Sequence, residues 1–172
     1  TVSYSLSGTD AGSFSINSST GVVTINAIPD YEAKSSYSIN VVASDGTLSS
    51  TQAVTVSVTD VAPAISSGAV GSVTEGAAAG TTVYTAVASD VAGGTVSYSL
   101  SGTDAGSFSI NSSTGVVTIS AIPNYEAKSS YSINVVASDG TLTSTKAVTV
   151  SVADVAPAIS SGAVGSVTEG AA

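Results

Sequence analysis

Carboxylates carry almost all the side-chain chemistry open to this 172-residue chain. There are twelve, against three lysines (Lys34, Lys128 and Lys146) and no His or Cys. They recur in four settings. Val42-Ala43-Ser44-Asp45, Val87-Ala88-Ser89-Asp90 and Val136-Ala137-Ser138-Asp139 each close a strand-like run. In each, the Asp follows a core-facing Ala by two residues, which puts it on the inward face at the strand's end. Asp30-Tyr31-Glu32, matched by Asn124-Tyr125-Glu126, spaces two oxygen side chains so that they point together if the segment is extended. Asp60 and Asp154 stand just before Pro63 and Pro157, and Glu75 and Glu169 close a Val-Gly-Ser-Val-Thr run. Hard oxygen ligands without His or Cys suit Ca²⁺. Two like charges ~4 Å apart repel by roughly 4 kcal/mol at an effective dielectric of ~20. With so few lysines to neutralise a carboxylate cluster, a metal ion is the simplest counter-charge.

The rest of the composition narrows the field. The net charge is -9, yet charged residues are only 9% of the chain, against ~25% in ordinary domains. The acidity therefore comes from missing bases. Without Cys or His there are no disulfides, thiol chemistry, Cys/His zinc sites or His-based triads. The lack of Lys/Arg clusters argues against nucleic acid and anionic membrane partners. No run of about 20 apolar residues is present, so no membrane insertion is expected. No leader is visible, because the chain opens on the strand-like Thr1-Val2-Ser3-Tyr4-Ser5. No grouping of nucleophile and base supports catalysis, so an enzyme is not expected.

Self-similarity sets the organisation. Residues 1–78 match residues 95–172 at all but five positions: Asn26/Ser120, Asp30/Asn124, Ser49/Thr143, Gln52/Lys146 and Thr59/Ala153. The period is 94 residues, the length of a globular domain rather than a solenoid unit. Val61-Ala62-Pro63-Ala64 and its second copy around Pro157 follow Val-rich strands and read as linkers, since Pro cannot sit in a central ladder. The expected division is 1–62 as the later part of one repeat, 63–156 as a complete repeat and 157–172 as the first strand of another. The sequence thus reads as a window on a longer tandem array.

Val and Thr favour strands, and Gly, Asn, Asp and Ser favour turns. The class is all-β. Seven strands are expected in the complete repeat, at about 64–75, 81–89, 95–101, 106–111, 115–120, 130–138 and 141–153, the spacing of a sandwich. Val96, Tyr98 and Leu100 share one face. So do Tyr131, Ile133, Val135 and Ala137, and so do Val148, Val150 and Val152. Ser and Thr line the opposite faces, the pattern of a half-buried antiparallel sheet. Asn111-Ser112-Ser113-Thr114-Gly115 and Asp139-Gly140 supply turn chemistry. Asp10 and Asp104 read as turn or cap residues. Asn17 and Asn111 match a glycosylation acceptor but fit a turn role better. Tyr37, Tyr84, Tyr98 and Tyr131 fall on apolar faces and read as core.

The 94-residue unit as a whole resembles a cadherin-like domain of the kind found in large bacterial surface adhesins. Val73-Thr74-Glu75 resembles the family's first-strand Glu. Asp30-Tyr31-Glu32 resembles its Asp-Arg-Glu motif, and Thr59-Asp60-Val61-Ala62-Pro63 its interdomain linker. Asp90 matches the first Asp of Asp-x-Asp, and Asp139 and Asp45 match the Asp of Ala-x-Asp-Gly. The resemblance implies seven-stranded Greek-key sandwiches with Ca²⁺ held where successive repeats meet. Asp30, Glu32 and Asp60 would come from one side of the first joint, and Asp90 and Asp139 from the other. Glu75, Glu126, Asp154 and Asn124 would form half of a second joint, which is expected to be incomplete. The linker keeps a single acid, with Ser57, Thr59 and Val61 at the family's other ligand positions, and Ala92 replaces the second Asp of Asp-x-Asp. These departures imply one or two ions per joint, not three.

The expected function is a Ca²⁺-stiffened spacer in an extracellular, cell-surface adhesin, partnered by neighbouring repeats. An alternative is a structural subunit of an extracellular filament, sheath or surface layer assembled by strand exchange between chains. A directly adhesive module would show repeats that differ in exposed aromatics or loop length, and these do not.

Overall fold

The computed structural model describes residues 1–162, 165, 167 and 169. Residues 1–62 carry β1 (Ser3–Ser7), β2 (Phe14–Ile16), β3 (Val23–Ile25), β4 (Ser36–Ser44) and β5 (Ser49–Ser57). Residues 63–156 carry β6 (Ala64–Ile65), β7 (Val70–Thr74), β8 (Thr82–Thr85), β9 (Ala88–Ser89), β10 (Ser97–Ser101), β11 (Phe108–Ile110), β12 (Val116–Ile119), β13 (Ser130–Ser138) and β14 (Thr143–Ala153). Apart from single 3-10 turns at Ala11–Ser13 and Ala105–Ser107, the described residues form no helix. The chain is all-β.

Residues 63–156 make a two-layered sandwich. One sheet runs β10-β13-β14-β7 and the other β11-β12-β8. The alternation in β13 and β14 decides what lies between them. Ile133, Val135, Ala137, Val148, Val150 and Val152 are buried, opposite Phe108, Val117, Ile119 and Val83. Tyr98, Leu100 and Tyr131 pack against this core from its edge. Pairing is antiparallel except at one place: β7 joins β14 in parallel, with Val70 opposite Thr149 and Thr74 opposite Ala153.

Two of the seven expected strands are interrupted, which gives nine. Segment 64–75 pairs with β9 through β6 in a separate two-stranded sheet, then crosses to pair with β14 through β7. Ser66-Ser67-Gly68-Ala69 makes the crossing, and the Tyr84 hydroxyl holds it, 2.6 Å from the Gly68 carbonyl and 2.7 Å from Ser67 Oγ. Segment 81–89 breaks where the Ala86 N–H turns to the Gly115 carbonyl. Gly115 has φ +70°, and a Cβ there would meet the Ala86 carbonyl oxygen at 2.4 Å. Only glycine allows that approach.

Residues 1–62 repeat the same arrangement in part. β1-β4-β5 form one sheet and β2-β3 the other. Nothing in the described residues plays the part that β7 and β8 play in the second unit. Identical side chains therefore differ in exposure: Ile25 is 40% exposed, whereas its counterpart Ile119 is 2% exposed. A cavity of about 720 Å³ opens there, lined by Phe14, Ile25, Ile39, Val54, Val56 and Val58 among others.

Two salt bridges are common to both units. Lys34 pairs with Asp10 and Lys128 with Asp104, each at 2.5 Å. The same Asp residues accept the backbone N–H of Ser38 and Ser132. They cap no 3-10 turn with their side chains, contrary to one of the roles expected for them. The attraction of the lysine, then the Ser38 or Ser132 N–H, holds each carboxyl below its usual range.

Candidate metal centre

The linker after β5 brings three carboxylates together. Ligand oxygens of Glu32, Asp60 and Asp139 all lie within 4.8 Å of one another. Asp60 follows the end of β5. Glu32 comes from the turn that leads into β4, and Asp139 from the turn between β13 and β14. Two of the three thus belong to 1–62 and one to 63–156. Asp90, after β9, lines the same cavity wall as Glu32 and Asp60.

Hydrogen bonds account for only part of this set. Asp139 Oδ1 accepts from the N–H groups of Thr141 (2.8 Å) and Leu142 (2.7 Å), and Asp90 Oδ1 accepts from Ala92 N–H at 2.9 Å. The other oxygen of each, Asp139 Oδ2 and Asp90 Oδ2, is buried with no partner. A buried carboxylate oxygen left bare is costly. Ca²⁺ binds oxygens at 2.3–2.6 Å, so ligands across one ion stand up to about 5 Å apart. The cluster's spacing and the bare Oδ2 of Asp139 fit such an ion.

The charge balance points the same way. Lys34 and Lys128 are already paired with Asp10 and Asp104. For Glu32 the largest influence is its own backbone N–H, which lowers its affinity for a proton. Loss of surrounding water and the charges of Asp60 and Asp139 outweigh it and raise the group above its ordinary value. Asp139 moves the other way, held down by the Leu142 and Thr141 N–H groups.

A second cluster repeats two members of the first, since Glu126 and Asp154 are the copies of Glu32 and Asp60. Oxygens of Glu75, Glu126 and Asp154 also lie within 4.8 Å of one another. Glu75 ties two segments together: Oε1 accepts from Val155 N–H at 2.7 Å and Oε2 from Tyr125 N–H at 3.1 Å. Those bonds, Val155 first, lower its tendency to protonate. The first cluster has no described residue in the place of Glu75.

Asp90, Asp30, Asn124 and Asp45 were expected as ligands and stand outside the clusters. Asp30 does not join Glu32, because residues 31–33 form a turn and not an extended run. Asp30 Oδ1 accepts from Ala33 N–H at 3.0 Å instead. Asn124 does the same toward Ala127 at 3.1 Å, and an amide oxygen serves that turn as well as a carboxylate. Asp45 sits before β5 begins, at the opposite pole from Asp60. Its Oδ1 accepts from Leu48 N–H and Thr47 N–H and from the Thr47 hydroxyl, which together push it down to about 2. Glu169 is exposed and in neither cluster. The expectation that 157–172 forms a first strand falls partly on residues outside those described.

One participant was not anticipated. The Thr141 hydroxyl lies 2.5 Å from Asp60 Oδ2, 3.0 Å from Asp139 Oδ1 and 3.4 Å from Glu32 Oε1. With one proton for three acceptors, it bridges both sides of the joint. The signal was present in Asp139-Gly140-Thr141, since a Thr two residues after a turn Asp commonly turns back on it.

Comparison with known proteins bears on both fold and site. A match to the family described as "Cadherin domain" spans residues 1–59 and 69–153. Human protocadherin Fat 4 is 35% identical over 145 residues, 78% of this chain and 3% of that protein. Human protocadherin Fat 1 is 36% identical over 167 residues, 88% of this chain and 4% of that protein. The chain therefore spans only a few per cent of the relatives it matches. The crystal structure of mouse cadherin-23 EC22-24 superposes with a TM-score of 0.54 at 30% identity, covering 90% of this chain and 53% of that one. These relatives are animal proteins; they support the cadherin part of the expected resemblance and lend nothing to its bacterial part. The chain belongs to the cadherin domain family, the β-sandwich repeats of extracellular adhesion proteins.

Proposed function

We propose that the chain is a non-catalytic spacer of a cell-surface adhesion protein, stiffened by Ca²⁺ held between its repeats. The observation that carries this is the Glu32, Asp60, Asp139 cluster. It draws its oxygens from both sides of one linker and leaves one buried carboxylate oxygen, Asp139 Oδ2, without a partner, as does Asp90 nearby with its Oδ2. An ion there would fasten residues 1–62 to residues 63–156. Packing of the linker supports the reading: Pro63 is fully buried. The nearly identical repeats support it too, because a spacer needs length and not varied surfaces. Glu32, Asp60, Asp90 and Asp139 are the proposed ligands at this joint, and Glu75, Glu126 and Asp154 those of the next. Asp30 and Asp45 are turn residues in this reading.

Binding to the folded, docked state alone adds about 2.7 kcal/mol at 100 times Kd. Repeats of extracellular type bind Ca²⁺ with Kd of order 10⁻⁴–10⁻³ M, so ~10 mM reaches 100 times Kd at the tight end of that range. At roughly 4–8 °C per kcal/mol for a domain of ~60–100 residues, the gain is readable in a melting curve. The expected outcome is a rise in Tm with Ca²⁺, reversed by chelator and reduced in Asp60→Ala. Equal curves with and without the ion would sink the metal role.

A further inference from the structure

Among the described residues, one hydroxyl carries the only hydrogen bonds that pass directly between residues 1–62 and 63–156. Thr141, in the turn between β13 and β14, holds its Oγ 2.5 Å from Asp60 Oδ2 and 3.4 Å from Glu32 Oε1. Its own turn puts it there. Thr141 Oγ lies 3.0 Å from Asp139 Oδ1, and its copy Thr47 makes the same bond to Asp45 at 2.9 Å. Asp139-Gly140-Thr141 therefore sets the hydroxyl at the strand end whatever stands across the linker. Where its single proton goes follows from the other donors. Asp139 Oδ1 already accepts the N–H groups of Thr141 and Leu142. The Asp60 carboxylate accepts no other hydrogen bond among the described residues. It is also the nearest of the three acceptors, at a separation ordinary for a hydroxyl donating to a carboxylate. The proton thus lies toward Asp60, and the bond crosses the joint.

We infer that Thr141 is an ion-independent latch, a positioning residue that docks 63–156 on 1–62 by donating to Asp60 before any cation is bound. Carboxylates that face each other across a linker push the two units apart. Lys34 and Lys128, which could offset this, are engaged with Asp10 and Asp104. A hydroxyl proton set between Asp139 and Asp60 turns part of that repulsion into attraction. It does so without adding charge and without covering Asp139 Oδ2, which keeps no partner. The latch thereby holds Glu32, Asp60 and Asp139 at the spacing that brings their oxygens within 4.8 Å of one another. Apparent affinity falls in proportion to the fraction of molecules already in the binding arrangement, so the latch also tunes ion binding. It stands apart from the Ca²⁺ reading; only this effect on affinity rests on it.

The chain has no Cys, so nitroxide labels at Thr55→Cys and Thr149→Cys, exposed copies of one another on β5 and β14, report how the two units sit. Pulsed electron double resonance reads their distance distribution in chelator and in Ca²⁺. In chelator the labelled chain is expected to show a sharp docked peak beside a broad loose population. Thr141→Val keeps the side-chain shape and drops the hydroxyl. It should lower the docked fraction about three- to tenfold, below the full worth of a bond to a charged group because Thr141 is exposed. Thr141→Ser should restore the peak, and Thr47→Val, the same change in the copy of the turn, should leave it unmoved. Calorimetric titration is expected to show Ca²⁺ binding weakened in Thr141→Val by a similar factor. Equal distributions for Thr141 and Thr141→Val in chelator would overturn the latch. They would do so even if the valine variant bound Ca²⁺ more weakly, because the hydroxyl would then be a ligand alone. An equal loss in Thr47→Val, or a serine variant that behaves like the valine one, would also overturn it. The metal reading fails separately, if Ca²⁺ leaves every docked fraction unmoved while the difference in chelator stands.

Discussion

An Asp near its own backbone N–H groups has two competing uses, and this chain shows both. Asp30 and Asp45 close turns on residues two or three positions ahead, and that satisfies them. Asp139 closes the same kind of turn with Oδ1, yet keeps Oδ2 free of any partner. Residue type alone separates these cases poorly, because Asx turns and cation sites select the same short carboxylate. Glu32, Asp60, Asp139, Glu75, Glu126 and Asp154 were legible as a set because their copies recur at linkers and strand ends. Thr141 was not, since a hydroxyl gives no charge signal. The site also has a pH signature. Glu32 is raised, so the folded chain favours its protonated form. That contribution to stability is complete below about 4.5 and fades as pH rises through the raised value. Where Glu32 is protonated, Ca²⁺ competes with that proton. Calorimetric titration is expected to show affinity falling on acidification from pH 7 toward 5, and Glu32→Gln should bind more weakly but with a flatter pH dependence. A native profile as flat as the variant's would remove Glu32 from the ligand set. Asp45 and Asp139 have the opposite sign: their contribution is present above the ordinary Asp value and is lost as pH falls through their lowered ones.

At the scale of strands, β13 and β14 were readable because period-two alternation runs through nine and eleven residues. The breaks in segments 64–75 and 81–89 were not. Ser, Gly and Ala are tolerated in a strand, and what stops the pairing is a crossing between sheets held by Tyr84, a tertiary contact. Internal duplication turns burial into a controlled comparison. Ile119 and Ile25 have nearly the same neighbours in sequence, but one is covered and the other is not. Ile119→Ala is expected to cost about 2–5 kcal/mol, the usual range for a buried Ile. Ile25→Ala should cost less than ~1 kcal/mol, since surface changes are usually small. Urea unfolding of the two variants gives the comparison, and equal losses would show that residues 1–62 are covered after all.

For the whole molecule, the linker around Pro63 matters most. Its Pro63 side chain is fully buried. Ordering of this linker by an ion would fix the direction in which one repeat hands on to the next. Small-angle scattering from the chain is expected to show a longer maximum dimension and a narrower distance distribution with Ca²⁺ than with chelator. Superimposable profiles would mean that the joint is rigid without the ion.

The parallel pairing of β7 with β14 has a mechanical meaning. These are among the first and last strands of residues 63–156, and they share the register 70–74 with 149–153. Tension applied through residues 63 and 156 pulls two parallel neighbours in opposite directions along their length. Their hydrogen bonds then bear the load together, in shear, and not one after another as in an unzipping hairpin. Lifetime under force is set by the rate of unfolding. A repeat closed in this way resists extension best along the axis on which a tether between surfaces would be pulled.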